Sequence, residues 1–313
     1  MFALSFDARM FNKPSFTSNR SLSQPQLHLI LHSDIPVDYS ESKMVATQNW
    51  NSNVTITHIG TATAIIEIEG VRFLTDPVFG PAGVYESMPG VPLTQVQDPA
   101  MKLEDLPVID CCLVSHEDHD DNLDTLGRQM LDGRHVLTTM DGAKKLAPRP
   151  AVQGLKPWQT VELVLQGKKF TITGTPCMHF EVGEVTGFII ELDSFGKAED
   201  GRPNAVYVSG DTIYIDELKK IKEKWHVAVA VLNFAGVVFP FQSRGGEPTM
   251  ITFDGASGAQ LFKDLEADRL VPMHFEEWKH FVELKDDLRK ALDKAGVAEQ
   301  VTWLSRAQEV RVL

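Results

Sequence analysis

The sequence predicts an α/β (α+β) fold in which two sheets pack face to face with helices outside. Three observations lead there. The strand-like segments fall into two β-rich halves, and helical segments follow strands in each. Five apolar strands end in a metal-type residue: Leu74 before Asp76, Val114 before His116, Ile172 before His179, Val208 before Asp211 and Val271 before His274. The 313 residues are 43% hydrophobic and 23% charged, enough apolar material for a large core.

Taken in order, Thr55–Ile59 and Ala64–Ile68 alternate or run apolar as strands do, and Glu69-Gly70 turns the chain into a third strand, Val71–Leu74. Pro77 stops it. Residues 77–107, rich in Gly and Pro, read as a long loop of the kind that forms a lid or substrate wall. Val108–Val114 is a strand. Leu123, Leu126, Met130 and Leu131 then recur at helical spacing, with Gly133 as the stop. His135–Thr139, Thr160–Leu165, Lys169–Gly174, Gly187–Leu192 and Ala205–Ser209 read as strands, with a short helix at Asp141–Leu146 and a surface turn over 194–204. In the rest, helices are expected at Asp216–Lys224, Phe253–Leu265 and Val282–Ala295. Strands are expected at His226–Asn233, Arg269–Met273, Val301–Leu304 and Glu309–Leu313.

The formal charge of −13 argues against nucleic acid as a partner. No apolar stretch approaches the ~20 residues of a membrane-spanning helix, so stable membrane insertion is not expected. Cys111, Cys112 and Cys177 read as reduced packing residues of a cytoplasmic protein, because neighbours on a strand face opposite ways and cannot pair. Residues 1–45, rich in Ser, Asn, Pro and Gln, read as a poorly ordered extension, with one folded domain over 46–313. Arg9, Arg20 and the serines hint at a mitochondrial presequence, against which Asp7 counts.

The densest chemistry lies in Ser115-His116-Glu117-Asp118-His119-Asp120-Asp121-Asn122. Burying so much charge is costly unless a divalent ion or another cation neutralises it. A helix N-terminus could employ one or two of these aspartates as caps, but capping does not account for two histidines three apart. Imidazole with carboxylate is a zinc or manganese donor set. His179, Asp211 and His274 each have a bland alternative, as hydrogen-bonded core or turn residues; Gly210 before Asp211 permits a sharp turn.

The ordered set Leu74-Thr75-Asp76-Pro77, Leu113-Val114-Ser115-His116-x-x-His119-x-Asp121, His179, Ser209-Gly210-Asp211-Thr212 and Pro272-Met273-His274-Phe275 resembles the metallo-β-lactamase superfamily. Thr57–Thr63 and Ile65-Ile66-Glu67 match the opening of its branch of N-acylphosphatidylethanolamine phospholipases D and L-ascorbate-6-phosphate lactonases. The resemblance covers about residues 54–280 and implies a four-layer αββα sandwich of two mixed sheets, with a metal site at their open edge. The superfamily's usual His-x-His-x-Asp-His is altered here. Without a gap, Asp118 and Asp121 replace two of its histidines. With a one-residue insertion, His119 keeps the second-histidine place, Asp121 the aspartate place, and Asn122 stands for the last histidine. The insertion is preferred because it retains two imidazoles. This form, with the run from His274 to Trp278 and His280-Phe281, also resembles a hydrolase-like subgroup.

By that resemblance His116, His119 and His179 hold a first metal, Zn2+, while Asp121 and His274 hold a second, with Asp211 bridging. Asn122 is a poorer donor than histidine, so the second site is expected to be weaker, absent, or suited to a harder ion such as Mn2+. The implied activity is hydrolysis of an ester, lactone or phosphodiester small molecule by a metal-activated water, with Asp121 and Asp211 as the catalytic carboxylates. His280 and Glu276 are candidate proton donors to the leaving group. Residues 77–107 and Phe239–Gly246, with Arg244, are candidate determinants of substrate choice. The alternatives are a phospholipase D-like phosphodiesterase, using an apolar groove near Val84, Tyr85 and Met88, and a non-catalytic metal-binding protein with a decayed site. A nuclease would need a basic stripe the acidic chain lacks. A homodimer is expected on base rate alone.

Overall fold

The structure is a computed structural model and describes residue 50 and residues 52–88, 91–180, 183–239 and 248–313. The extension over 1–45 and Arg244 lie outside the described residues. The first half begins with the meander β1 (Val54–Gly60), β2 (Thr63–Ile68) and β3 (Val71–Thr75). A separate hairpin, β4 (Gly83–Met88) and β5 (Val91–Gln95), follows. Then come β6 (Cys111–Leu113), α1 (Thr125–Met130), β7 (His135–Thr139), α2 (Met140–Lys145) and β8 (Val152–Leu155). The second half contains β9 (Thr160–Leu165), β10 (Lys168–Pro176), β11 (Thr186–Leu192), β12 (Asn204–Val208), α3 (Ile221–Lys224) and β13 (His226–Asn233). It is completed by the two-residue strands β14 (Val238–Phe239) and β15 (Thr249–Met250), then α4 (Gly255–Asp264), β16 (Arg269–Met273) and α5 (Lys285–Lys294). Last, β17 (Glu309–Arg311) returns to pair with β1.

The strand orders are β17-β1-β2-β3-β6-β7-β8 and β16-β13-β12-β11-β10-β9. Each sheet is mixed. The meander is antiparallel and β3, β6, β7 and β8 run parallel, while in the other sheet only β12, β13 and β16 are parallel. Alternation along the strands sorts the side chains into three layers. Ile56, Ile66, Phe73 and Leu113 meet Phe170, Phe188, Val206 and Val231 between the sheets. Ile65, Leu74 and Val136 face out to Leu123, Met130 and Leu146, and Tyr207, Ala230 and Leu232 face out to Leu218, Leu261 and Leu288. This is the predicted αββα sandwich. Adjacent Cys111 and Cys112 fall in different layers, and all three cysteines are free.

Local expectations differ from the structure in several places. Residues 77–107 are not loop throughout: β4 and β5 form a hairpin inside them. Its Gly and Pro content hides a strand pair whose Tyr85 packs on Trp278 and whose Gln95 bridges to the same residue. Val301–Leu304 is not a strand and makes only an isolated bridge, Val301 to Leu270. The last two helices start later than their apolar pattern, at Gly255 and Lys285; Asp254 caps the former, accepting from Ser257 N at 2.8 Å. Among the described residues no helix is long and apolar enough to cross a membrane.

Phe73 of β3 and Phe170 of β10 meet edge-to-face between the sheets, centroids 5.1 Å apart, both fully buried. Truncating Phe170 to Ala is expected to cost roughly 3–5 kcal/mol, read as a lower urea midpoint at an unchanged m value.

Candidate metal centre

The strands that carry the predicted residues all finish at one edge of the sandwich. Beyond β6 the chain is held by a buried carboxylate from the neighbouring strand: Asp76 accepts from Ser115 N at 2.6 Å and from Ser115 Oγ at 2.9 Å. Because the Ser115 hydroxyl proton goes to Asp76, its oxygen can only accept from His116 Nδ1, 2.9 Å away. His116 Nε2 is thereby left as a lone pair, and it points at His119 Nδ1 at 2.9 Å. His179 is oriented the same way: Nδ1 donates to the Ile251 carbonyl at 2.7 Å, which turns Nε2 inward. One nitrogen of each of His116, His119 and His179 lies within 4.8 Å of the others, the only such group of three among the described residues.

Burial and the imidazole of His119 push His116 down to about 3, and burial lowers His179. Two of the three rings are therefore neutral at pH 7, which is the ligating form.

A second group lies beside the first. Burial opposes ionisation of Asp121, but His274 and His280 outweigh it and hold the carboxyl well below its usual range. Its Oδ2 is 3.8 Å from His274 Nε2 and 3.2 Å from His280 Nε2. Asp211, whose Oδ1 accepts from Asn233 Nδ2 at 2.8 Å, lies 3.6 Å from His274 Nδ1. Burial tends to raise Asp211, while the imidazoles of His274, His179 and His116 bring it down, so this carboxylate feels both groups. Burial would lower His274, but Asp211 and Asp121 lift it to about 9. Gly210 is obligatory for this approach. Its φ is +59°, and a Cβ there would sit 2.7 Å from Ser115 Cβ and 2.9 Å from the Thr186 carbonyl oxygen.

All six predicted residues thus converge, and the geometry favours the one-residue insertion. His119 turns to the imidazole cluster, whereas Asp118, which the gapless alignment requires, is exposed and 3.9 Å from Lys145 Nζ. Asp124 takes the capping role, accepting from Gly127 N at 2.6 Å, which frees Asp121. Buried Glu117 is neutralised by Arg128 at 3.2 Å and Lys145 at 2.8 Å rather than by the site. Asn122 is fully buried; its Nδ2 donates to Asp76 at 3.4 Å and its Oδ1 has no partner. Cys177, pushed up to about 12 by burial, is a packing residue. Sequence reasoning underrated His280, and it missed Asn233 and Ser115, which no ligand spacing marks. Glu276 is not among the lining residues of the cavity at the site.

That cavity, of about 150 Å3, places His119, Asp121, His179, Asp211, His274 and His280 against a wall of Leu93, Phe180, Val237, Phe239 and Ile251. Leu93 comes from the β4–β5 hairpin. Val84, offered for an exposed apolar groove, is 68% exposed and outside this cavity's lining, and Tyr85 packs on Trp278 with centroids 5.5 Å apart.

The donor set fits divalent metal. His274 Nε2 is buried without a hydrogen-bond partner, a state that costs about 1–3 kcal/mol unless something binds it. Burial, with a smaller push from the charge of Asp211, raises Asp76 to about 7.

A family model described as a β-lactamase superfamily domain matches residues 71–275. The chain belongs to the metallo-β-lactamase superfamily. An isothiocyanate hydrolase from Delia radicum gut bacteria superposes with a TM-score of 0.66 at 18% identity, over 82% of this chain and 98% of that one. N-acyl-phosphatidylethanolamine-hydrolyzing phospholipase D 1 of Caenorhabditis elegans is 32% identical over 237 residues, 66% of this chain and 59% of that protein. The chain thus spans less than two thirds of that relative. A metal-dependent hydrolase of Exiguobacterium is 26% identical over 249 residues, 76% of this chain and 92% of its own.

Replacing Ser115 by Ala removes the acceptor that fixes the His116 tautomer. Zn2+ affinity, measured by competition with a chromophoric chelator, is expected to fall roughly 10–100-fold with the fold intact by circular dichroism.

Proposed function

We propose that this member of the superfamily is a metal-dependent hydrolase of a small ester, lactone or phosphodiester that carries an apolar group. The observation that carries the reading is the facing of neutral imidazole lone pairs toward one point, beside two buried aspartates and at the mouth of an apolar-walled cavity. His116, His119 and His179 would hold one ion; Asp121 and His274 a second, with Asp211 between them. Bound there, divalent ions supply a Lewis acid for the electrophilic oxygen and lower the pKa of a water.

The chain's own residues do the rest. Asp121, ionised and inside the cavity, orients the attacking water and accepts its proton. Asn233 fixes the Asp211 carboxylate, and the Phe234 carbonyl, 3.2 Å from His274 Nδ1, fixes that ring with Nε2 toward Asp121. Leu93, Phe180, Val237, Phe239 and Ile251 exclude water and grip the apolar part of the substrate. Within the ester, lactone and phosphodiester classes, the 32% identity to a phospholipase D favours a phosphodiester.

Elemental mass spectrometry on tag-free protein tests the metal centre: one or two Zn2+ or Mn2+ ions per chain are expected, with the His116 set lost in His116→Ala. A chain that holds no ion after reloading overturns the reading. With a phosphodiester substrate, Asp121→Asn is expected to lower kcat roughly 10²–10⁴-fold. Lengthening the substrate's alkyl chain should lower KM about fourfold per methylene, from ~0.8 kcal/mol each, until the cavity is full. Leu93→Ser should blunt that dependence.

A further inference from the structure

Resting on the metal-centre reading above, we infer that His280 is a donor to the second ion and makes good the nitrogen that Asn122 does not supply. Beside Asp121 in sequence, Asn122 spends its amide nitrogen on Asp76, 3.4 Å away, on the floor of the site. The imidazole that instead reaches Asp121 belongs to a segment far along the chain, with His280 Nε2 at 3.2 Å from the same Oδ2 that His274 Nε2 approaches at 3.8 Å. Both rings line the cavity with Asp121.

The loop between them is built to present the two rings together. His274 and Glu277 take φ of +60° and +79°, which folds the segment back on itself. His274 N donates to the Thr61 carbonyl at 3.0 Å, and Glu277 Oε2 accepts from Thr61 N at 3.0 Å. Lys279 N donates to Thr94 O at 3.0 Å, and Val96 N to Glu277 O at 2.7 Å. His280 is wedged against Phe281 with centroids 4.7 Å apart and against Trp278 at 6.0 Å. A side chain 27% exposed and fixed on both flanks is not a surface histidine that happens to touch a carboxylate. Two nitrogens and a carboxylate oxygen form the donor set of a divalent ion. The set is more open than the His116, His119 and His179 group, so the second ion binds more weakly than the first.

The test is Co2+ titration of the chelator-stripped full chain, followed by visible absorption and by equilibrium dialysis with elemental analysis. Wild type is compared with His280→Ala and with His280→Phe, which keeps the ring packing and removes the nitrogens. Expected are two ions in wild type, with the second affinity falling at least about 100-fold and its absorption bands lost in both variants, while the first ion is bound as before. Two ions with unchanged affinity and spectrum in the variants overturn the assignment. A single ion in every protein also overturns it and leaves the hydrolase reading standing. Loss of both ions in both variants overturns it by making His280 a folding residue. No ion in wild type overturns this assignment and the metal-centre reading together.

Discussion

A buried carboxylate at the end of β3, Asp76, is what the rest of the site is hung from. It has almost no solvent, so every oxygen lone pair it exposes inward must be met by the protein. Ser115 meets two and Asn122 a third, and those bonds set the path of the chain from β6 into the loop that carries His116, His119 and Asp121. The hydroxyl that binds Asp76 also decides which nitrogen of His116 carries its proton. One acid thereby fixes backbone and tautomer at once. The parallel pairing of β3 with β6 puts Asp76 in reach, since both strands end at the same edge.

Charge at this edge is neutralised in two different ways. Glu117, one residue from a cluster histidine, faces outward and is held by Arg128 and Lys145, whose cationic heads are partly in water. Asp121 and Asp211 face inward toward imidazoles, with Asn233 also donating to Asp211. An imidazole nitrogen can bind a divalent ion once its proton leaves, keeping its carboxylate neighbour, a role the Arg128 guanidinium does not have. The acidic stretch from Glu117 to Asp121 thus has one carboxylate turned to cations, Glu117, and one turned to imidazoles, Asp121.

The strand-end residues were legible because each is local: an apolar run, a stop, then a polar donor. Two face-to-face sheets with outer helices follow from the same pattern, while the mixed four-layer αββα form came with the family resemblance; the facing of Cys111 and Cys112 into separate layers confirms the period of two on β6. The choice between His119 and Asp118 was legible only as a preference, since loop spacing does not say which side chain turns inward. His280 was legible only as a candidate proton donor, not as a neighbour of Asp121. Its nearness to Asp121 depends on two positive-φ residues and on a hairpin that Gly and Pro disguised as loop. Asn233 and Ser115 carry no spacing signal, because they act through one hydrogen bond each.

The ladder from Thr94 and Val96 to Lys279 and Glu277 joins the β4–β5 hairpin to the segment bearing His274 and His280. Leu93, on that hairpin, is also part of the apolar wall. Part of the apolar wall and the rings that face Asp121 therefore ride on one mechanical piece. On the substrate proposed above, a molecule too short to reach Leu93 would leave that piece unbraced, while one that fills the cavity would press on it. Selectivity for the right tail would then be expressed as rigidity at the reacting end, and discrimination would show in turnover as well as in binding.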